Sequence, residues 1–492
     1  VCANEIAHAA PEMRPRGFAE SRLTLMPIQG VSGLESSAPN PLPQPRAQSP
    51  ECSVGVKEGG VCRRPRVNGV TLGPLMHVVL LNQAFHPDVV ATAQMGKDLA
   101  DHLVRQGHQV TAVASRSIYG KKGASLPSRE KIEVKRPDGT VAGHIDVRRV
   151  GFSLFGKGSI FARLLDFALF YLLATIRVLT LKKPDVVVSY TTPPYIALVG
   201  VLCKWLRGSK AVYWVMDLYP DVAVACGVMR EGAKSTRLFE WLNRFMLKKS
   251  DASVVLGRCM RDRVLAKGIA PNKVELVPVW SDLAELAPVA PEANTLRKEW
   301  NLDGKVIVMY SGNLGLGHDA TTICGAMERL KDRDDIAFVF VGGGKRRAEV
   351  EAFIRDKQIN NAQYRDYVPR ERLNESLGLA DMHLISLKQG VEGIMVPSKL
   401  FGIMAVARAG VFVGEPTSEI ARVLQESGSG VMVREGDHEG LARLIDELAR
   451  DPARRIDMGN KALDHVHGRY DAASACAMWE RLLVRLVDSK RA

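Results

Sequence analysis

Short, largely apolar runs rich in β-branched and aromatic residues recur along this chain, each separated from the next by a stretch with helical spacing. The runs at 77–81, 109–114, 185–189, 211–215 and 252–256 form a first set. Runs of this kind belong in a parallel sheet covered on both faces. Between the first two, Met95, Leu99 and Leu103 fall on one stripe at i, i+4, which predicts a helix over 91–106 closed by Gly107 and His108. A proline-containing stretch, 276–291, breaks the pattern. It restarts with a strand at 305–311, a helix at 321–330, a strand at 336–341, a helix at 347–356 and a strand at 362–366. Runs at 382–387 and 411–414 follow, and helical stretches near 439–447 and 472–487 close the chain. The fold class is α/β, with two successive domains (residues 76–284 and 285–465) and a closing segment, 466–492. A cleft between such domains, at the carboxyl ends of the strands, is where ligands bind.

Residues 1–75 differ from the rest. They hold ten of the 25 prolines and no apolar period, which predicts a disordered stretch or an extension added by the choice of translation start, with the folded part opening at Met76. Their 8 Lys/Arg against 6 Glu give only +2 of the formal +13, so 59 basic and 48 acidic residues leave +11 on the remainder. No Lys/Arg stripe interleaved with aromatics accompanies the excess, which argues against nucleic acid. A phosphorylated small molecule or an anionic membrane face suits a dispersed excess. The eight cysteines show no C-x-x-C pairing, so neither a zinc framework nor a disulfide scaffold is expected, and the usage fits a reducing, cytoplasmic compartment. No basic region followed by an apolar run marks a secretory signal. Residues 167–176 are ten without a charge, short of the about 20 that a bilayer span needs. Two readings of 160–180 stay open: a helix packed within the protein, and a helix lying peripherally on the inner face of the membrane near a lipid-linked acceptor.

Most of the chemistry gathers in 379–414. The run at 382–387 feeds a loop ending in Pro397, Ser398 and Lys399, where a helix is expected to begin. Backbone N–H groups, a hydroxyl and an ammonium beyond the end of a strand suit a phosphorylated ligand. Glu392 in that loop can accept hydrogen bonds from sugar hydroxyls, and Glu419 can bind a ribose diol or cap its own helix. Gly312, Asn313, Gly315 and Gly317 follow the 305–311 run. Glycines there let backbone N–H groups approach an anion, or simply make a tight connection. Gly342-Gly343-Gly344-Lys345-Arg346-Arg347 repeats the idea, and Lys345 or Arg346 can face phosphate or water. Asp217 sits where the 211–215 run should open onto the cleft, and can orient or deprotonate an attacking hydroxyl, or cap the turn before Pro220. Asp217 and Asp221 do not share a clear helix and no histidine cluster accompanies them, so no metal is expected.

Phe85-His86-Pro87-Asp88, Thr191-Thr192-Pro193-Pro194, Asp217-Leu218-Tyr219-Pro220, Ser311-Gly312-Asn313, Val368-Pro369, Pro397-Ser398-Lys399-Leu400-Phe401-Gly402 and Ser418-Glu419-Ile420 occur in this order. Together they resemble the retaining glycosyltransferases of family 4, in the branch that builds bacterial polysaccharides of the colanic acid and O-antigen type. The resemblance covers 76–492. It implies a GT-B fold, two Rossmann-like domains facing across a cleft, with the last helix returning to the first domain and no metal or cofactor. It further implies a nucleoside-diphosphate sugar as donor, its diphosphate near Gly312, Asn313, Gly315, Gly317, Ser398 and Lys399, and its nucleoside near Gly343, Arg346 and Glu419. The acceptor, a glycan or polyprenyl-linked sugar, would lie toward His86, Asp88, Thr92 and Tyr219, with Asp217 and Glu392 carrying the chemistry. Much of the family has two glutamates separated by seven residues; here Gly402 takes the second place and Ile394 the first. The 312–317 loop also lacks the Arg or Lys that often grips the diphosphate, which shifts weight onto Lys399. Two other classes stay open: a nucleotide-sugar epimerase, and a catalytically silent partner that binds a nucleotide sugar.

Overall fold

The computed structural model describes residues 75–88, 90–118, 125–151, 160–280, 283, 286–394 and 399–491. The expectations on 1–74 and on Pro397 and Ser398 lie outside them.

Two sheets carry the fold. The first contains β1 (His77–Leu81), β2 (Gln109–Ser115), β3 (Arg129–Lys135), β4 (Val141–Val150), β5 (Val186–Ser189), β6 (Lys210–Val215), β7 (Ala252–Val255) and β8 (Val274–Leu276). Their order is β3-β4-β2-β1-β5-β6-β7-β8. All neighbours are parallel except β3, which is antiparallel to β4. Period-2 alternation splits β1 between two cores. Val78 and Leu80 meet Met95, Leu99 and Leu103 of the helix Ala91–Arg105, while Val79 and Leu81 meet Phe170, Ala174 and Val178 of the helix Ile160–Thr180. The sequence reading saw a ten-residue apolar core in that second helix, whereas it runs for 21 residues. The β3–β4 pair, β8 and the helix Pro452–Val466 were not anticipated at all.

The second sheet is β9 (Val306–Ser311), β10 (Ile336–Val341), β11 (Ala362–Arg365), β12 (Met382–Ser386), β13 (Ala409–Val413) and β14 (Gly430–Val433), in the order β11-β10-β9-β12-β13-β14 and parallel throughout. Its strand order reverses between β9 and β12. These two strands pair only at Met382–Val308 and His383–Met309, so they part before their carboxyl ends. A crevice opens there, as expected at such a switch point.

The last helix, Ala472–Arg491, lies on the first domain against Ala91–Arg105. Trp479 packs on Trp214 with ring centroids 4.5 Å apart, and Trp214 also meets Tyr190 at 4.6 Å and Trp280 at 5.5 Å. Glu480 reaches His102 Nε2 at 3.0 Å and His108 Nε2 at 3.3 Å.

Candidate functional site

The two glycine-rich loops are laced to each other. Gly312 N–H donates to the Val341 carbonyl at 2.8 Å, Leu314 N–H to Gly343 at 2.7 Å, and Arg346 N–H to Leu314 at 3.1 Å. Gly342 has φ +130°, and a Cβ there would stand 2.4 Å from the Gly312 carbonyl oxygen; at Gly344 it would stand 2.3 Å from that of Leu314. Those two glycines serve the contact of loop with loop. Gly343 differs, since a Cβ would meet only the Tyr367 ring, at 3.5 Å. Arg346, expected beside the nucleoside, braces the scaffold. Its Nη1 donates to the His318 carbonyl at 2.7 Å, and its Nε and Nη2 donate to the Glu349 carboxylate at 2.9 and 3.0 Å.

The crevice between β9 and β12 is lined by Tyr310, His318 and Lys399. His318 Nδ1 lies 2.6 Å from the Ser386 carbonyl oxygen. Burial, aided by the nearby Lys399 charge, pushes its pKa down to about 3, so the imidazole is neutral. A carbonyl only accepts, which puts the proton on Nδ1 and leaves Nε2 as an acceptor. Lys399 Nζ donates to the Tyr310 hydroxyl at 2.5 Å and lies 3.8 Å from that ring's centroid. Tyr310 in turn donates to the Asn313 carbonyl at 3.3 Å. Burial alone lowers the Lys399 ammonium to about 7, and no carboxylate among the described residues pairs with it. A desolvated cation without a counterion is a place prepared for an anion.

A second lysine stands nearby that the sequence reading passed over. Lys388 follows β12 directly, and its N–H donates to the Gly317 carbonyl at 3.0 Å. Its charge and that of Asp217 both act on the Cys226 thiol of the first domain, Asp217 raising its pKa and Lys388 lowering it, under a larger upward push from burial. Lys388 and Asp217 therefore approach one region from opposite domains. The available signal was a lysine immediately after a buried strand at the switch point. Gly315 accepts from the His318 N–H at 3.1 Å, and Asn313 is exposed at the loop's edge.

Asp217 belongs to the first domain, just past the end of β6. It is 8% exposed, and no described residue donates a hydrogen bond to its carboxylate. The next residue, Leu218, donates its N–H to the Ile394 carbonyl at 3.0 Å, which ties the β6 exit to the Glu392 loop. In that loop Gly393 has φ +71° and a Cβ would lie 2.6 Å from the Cys259 carbonyl oxygen, so only glycine permits this approach of the domains. Arg263 holds the loop from the first domain, donating to the Glu392 carbonyl at 2.6 Å and standing 3.7 Å from Glu392 Oε1. Glu392 Oε2 is buried with no partner among the described residues.

Glu419, expected at a ribose or as a cap of its own helix, is engaged by Arg258. Its Oε2 accepts from the Arg258 N–H at 2.6 Å, and its Oε1 from Arg258 Nε at 2.9 Å, across the domain boundary. It caps the helix Arg258–Ala266, while its own helix, Glu419–Ser427, is capped by Ser418. The four acceptor-side residues gather beyond the ends of β1 and β6. The exposed His86 has its carbonyl held by the buried Arg149 at 2.7 Å, and burial, then Lys97, lowers its imidazole pKa. Asp88 and Tyr219 are buried, the latter ring 6.3 Å from Tyr195. Thr92 Oγ1, in the first turn of Ala91–Arg105, is buried without a partner among the described residues. No group of three or more His, Cys, Asp and Glu able to hold a metal occurs among the described residues.

Two family models match in tandem: a glycosyl transferase 4-like domain over residues 90–280 and a glycosyl transferases group 1 domain over 292–465. The chain is 31% identical over 271 residues to a probable glycosyltransferase, WbjE, of Pseudomonas aeruginosa. That match covers 54% of this chain and 66% of WbjE, just under two thirds of its length. It is 25% identical over 364 residues to the putative colanic acid biosynthesis glycosyl transferase WcaI of Escherichia coli K12, covering 73% of this chain and 88% of the other. Among solved structures, Anabaena Alr3699/HepE in complex with UDP and glucose superposes with a TM-score of 0.61 at 11% identity, over 83% of this chain and all of that one. This last likeness fixes the two-domain fold.

Proposed function

The chain belongs to the family 4 type of glycosyltransferases, and from that premise we propose that it moves a sugar from a nucleoside diphosphate to a lipid-linked glycan during cell-surface polysaccharide synthesis. The observation that carries the reading is Lys399, a desolvated ammonium with no carboxylate partner among the described residues, in the crevice where β9 and β12 part. A diphosphate supplies the missing counterion, and Lys388, whose N–H donates to Gly317 in the loop that leads to His318, adds a second positive charge. The nucleotide complex of the Anabaena protein supports a nucleotide sugar, and the colanic acid assignment of WcaI supports a polysaccharide product.

In the proposed reaction the acceptor oxygen forms a bond to the anomeric carbon as the bond to the diphosphate oxygen breaks. Charge developing on that leaving oxygen is met by Lys399 and Lys388. The acceptor proton passes to the leaving phosphate oxygen on the same face, which retains configuration, with Asp217 orienting the acceptor hydroxyl. Glu392 Oε2 accepts a hydrogen bond from the donor sugar. No step calls for a metal.

The test is a nucleotide-sugar panel incubated with the protein and a membrane lipid extract. Acceptor-dependent release of nucleoside diphosphate together with sugar-labelled lipid is expected. An epimer formed from the donor without acceptor, or donor binding without turnover across an acceptor panel, would replace this reading with an epimerase or a silent binding partner.

A further inference from the structure

Three helices cover the outer face of the first domain's sheet and pack side by side: Ile160–Thr180, Ala197–Arg207 and Lys234–Lys249. The first buries Phe170, Ala174 and Val178 toward the sheet. Yet Leu172 and Ile176, one turn apart on its opposite side, are 60% and 51% exposed. A helix facing water carries polar residues on that side. The other two helices repeat the anomaly with Trp205, Leu206, Leu238 and Trp241, all more than half exposed. Phe245 joins them, edge-on to Trp205 at 5.8 Å and stacked with Trp241 at 5.7 Å. Two indoles on neighbouring helices thus rest on one phenyl ring and open to solvent together. Six of the eleven large apolar side chains exposed among the described residues belong to this one face.

The rim is cationic. The third helix carries Lys234, Arg237, Arg244, Lys248 and Lys249 against a single acid, Glu240, which Arg244 and Lys267 already hold at 2.7 Å. Exposed Lys182 and Lys183 follow the first helix. Lys204 donates to the Lys249 carbonyl at 2.9 Å, and Lys273 to that of Lys248 at 2.6 Å, so the cations of this rim are crowded. Desolvation, then Lys204, lowers the Lys273 ammonium. No described helix is long and apolar enough to cross a membrane.

We propose that this three-helix face docks the protein on an anionic phospholipid bilayer. Trp205 and Trp241 enter the headgroup region, Leu172 and Ile176 lie on the acyl boundary, and the lysine rim meets lipid phosphates. Indoles favour that depth, and each lysine near an anionic surface adds to the attraction. The inference stands apart from the transfer reaction, because its readout is binding.

The experiment is flotation of the full chain with phosphatidylcholine vesicles, with and without phosphatidylglycerol, at low and high salt. Binding is expected only with the anionic lipid and should weaken in high salt. Trp205→Ala with Trp241→Ala should lower the partition coefficient about tenfold or more, and Lys248→Glu with Lys249→Glu should do likewise at low salt. All four side chains are exposed, so circular dichroism should stay unchanged and certify the fold, while loss of the two ring contacts on Phe245 should lower the unfolding midpoint only slightly. Equal binding by the tryptophan variant, or no binding of the parent to anionic vesicles, overturns the proposal. So does a concentration-dependent dimer that the tryptophan substitutions dissolve while vesicles bind nothing, since the face would then belong to a second copy.

Discussion

If the proposed donor site is right, Lys399 should make donor binding a proton-linked event. Burial holds its ammonium near 7, so at neutral pH about half of the free protein carries the charge, and one unit higher only about a tenth does. A bound diphosphate favours the charged form and raises that value, so binding above pH 7 must take up a proton. Affinity for an intact nucleotide sugar, whose diphosphate diester does not itself titrate near neutrality, should fall about tenfold per pH unit above 7. Proton uptake should approach one per donor by about pH 8. Lys399→Met removes a charge-assisted hydrogen bond worth about 1.5–3 kcal/mol, or about 10- to 150-fold in affinity, and abolishes the pH slope. Lys399→Arg, charged at every accessible pH, should bind with a flat profile. Calorimetric titration in two buffers of different ionisation enthalpy counts the protons directly. A flat profile for the parent with no proton uptake, or an equal loss of free nucleoside and nucleotide sugar in Lys399→Met, refutes the assignment.

Asp217→Asn should reduce sugar transfer by about 100-fold while leaving donor affinity nearly intact, and unchanged turnover would remove it from the chemistry. Gly342→Ala forces a Cβ to 2.4 Å from the Gly312 carbonyl at φ +130°, and should cost about 2–4 kcal/mol in urea unfolding. Gly343→Ala meets only the Tyr367 ring at 3.5 Å and should cost less than about 1 kcal/mol. Burial pushes the Glu480 carboxyl up, but His102 and His108 outweigh it and hold it at about 2, against an ordinary 4.5. Because the folded value is the lower one, that stabilisation is complete above about pH 4.5 and is lost as pH falls through about 2, at most about 3 kcal/mol. Glu480→Gln should flatten this acid limb, read as amide exchange in the last helix.

The strand–helix alternation shows in the sequence because strands buried on both faces leave no polar alternation, and β1, β5, β6 and β7 are uncharged but for Lys210 and a single terminal histidine. The same rule hides β3, Arg-Glu-Lys-Ile-Glu-Val-Lys, in which Arg129, Lys131, Glu133 and Lys135 lie on the open side of an edge strand and Glu130 pairs with the buried Arg149. The helix Pro452–Val466 is legible in the sequence, since Asp451 caps it, Pro452 opens it, and Met458, Ala462 and Val466 form its buried stripe. The site is less legible for a physical reason. Arg346 is taken up by Glu349 three residues on, a local pairing that any helix permits, whereas Glu419 meets Arg258 from 161 residues away, and no local pattern announces such a partner.

The missing glutamate pair finds its explanation in packing. Ile394 is 2% exposed and presents its carbonyl to Leu218 of the first domain, and a Cβ on Gly402 would meet Leu377 at 3.5 Å and Leu286 at 3.8 Å. A side chain at 402 would leave the helix between these two leucines, and a carboxylate that found no donor there would cost several kcal/mol. Both positions therefore serve the core and the domain contact here, and a chain built this way needs its donor contacts elsewhere. In the proposed reaction two features would supply them: the ammonium groups of Lys388 and Lys399, and the unpartnered Oε2 of Glu392. A buried polar atom left without a partner destabilises the empty protein and is offset only when a ligand completes it. That asymmetry is why Glu392, not the vacated 394 and 402 positions, is the carboxylate to expect against the donor sugar.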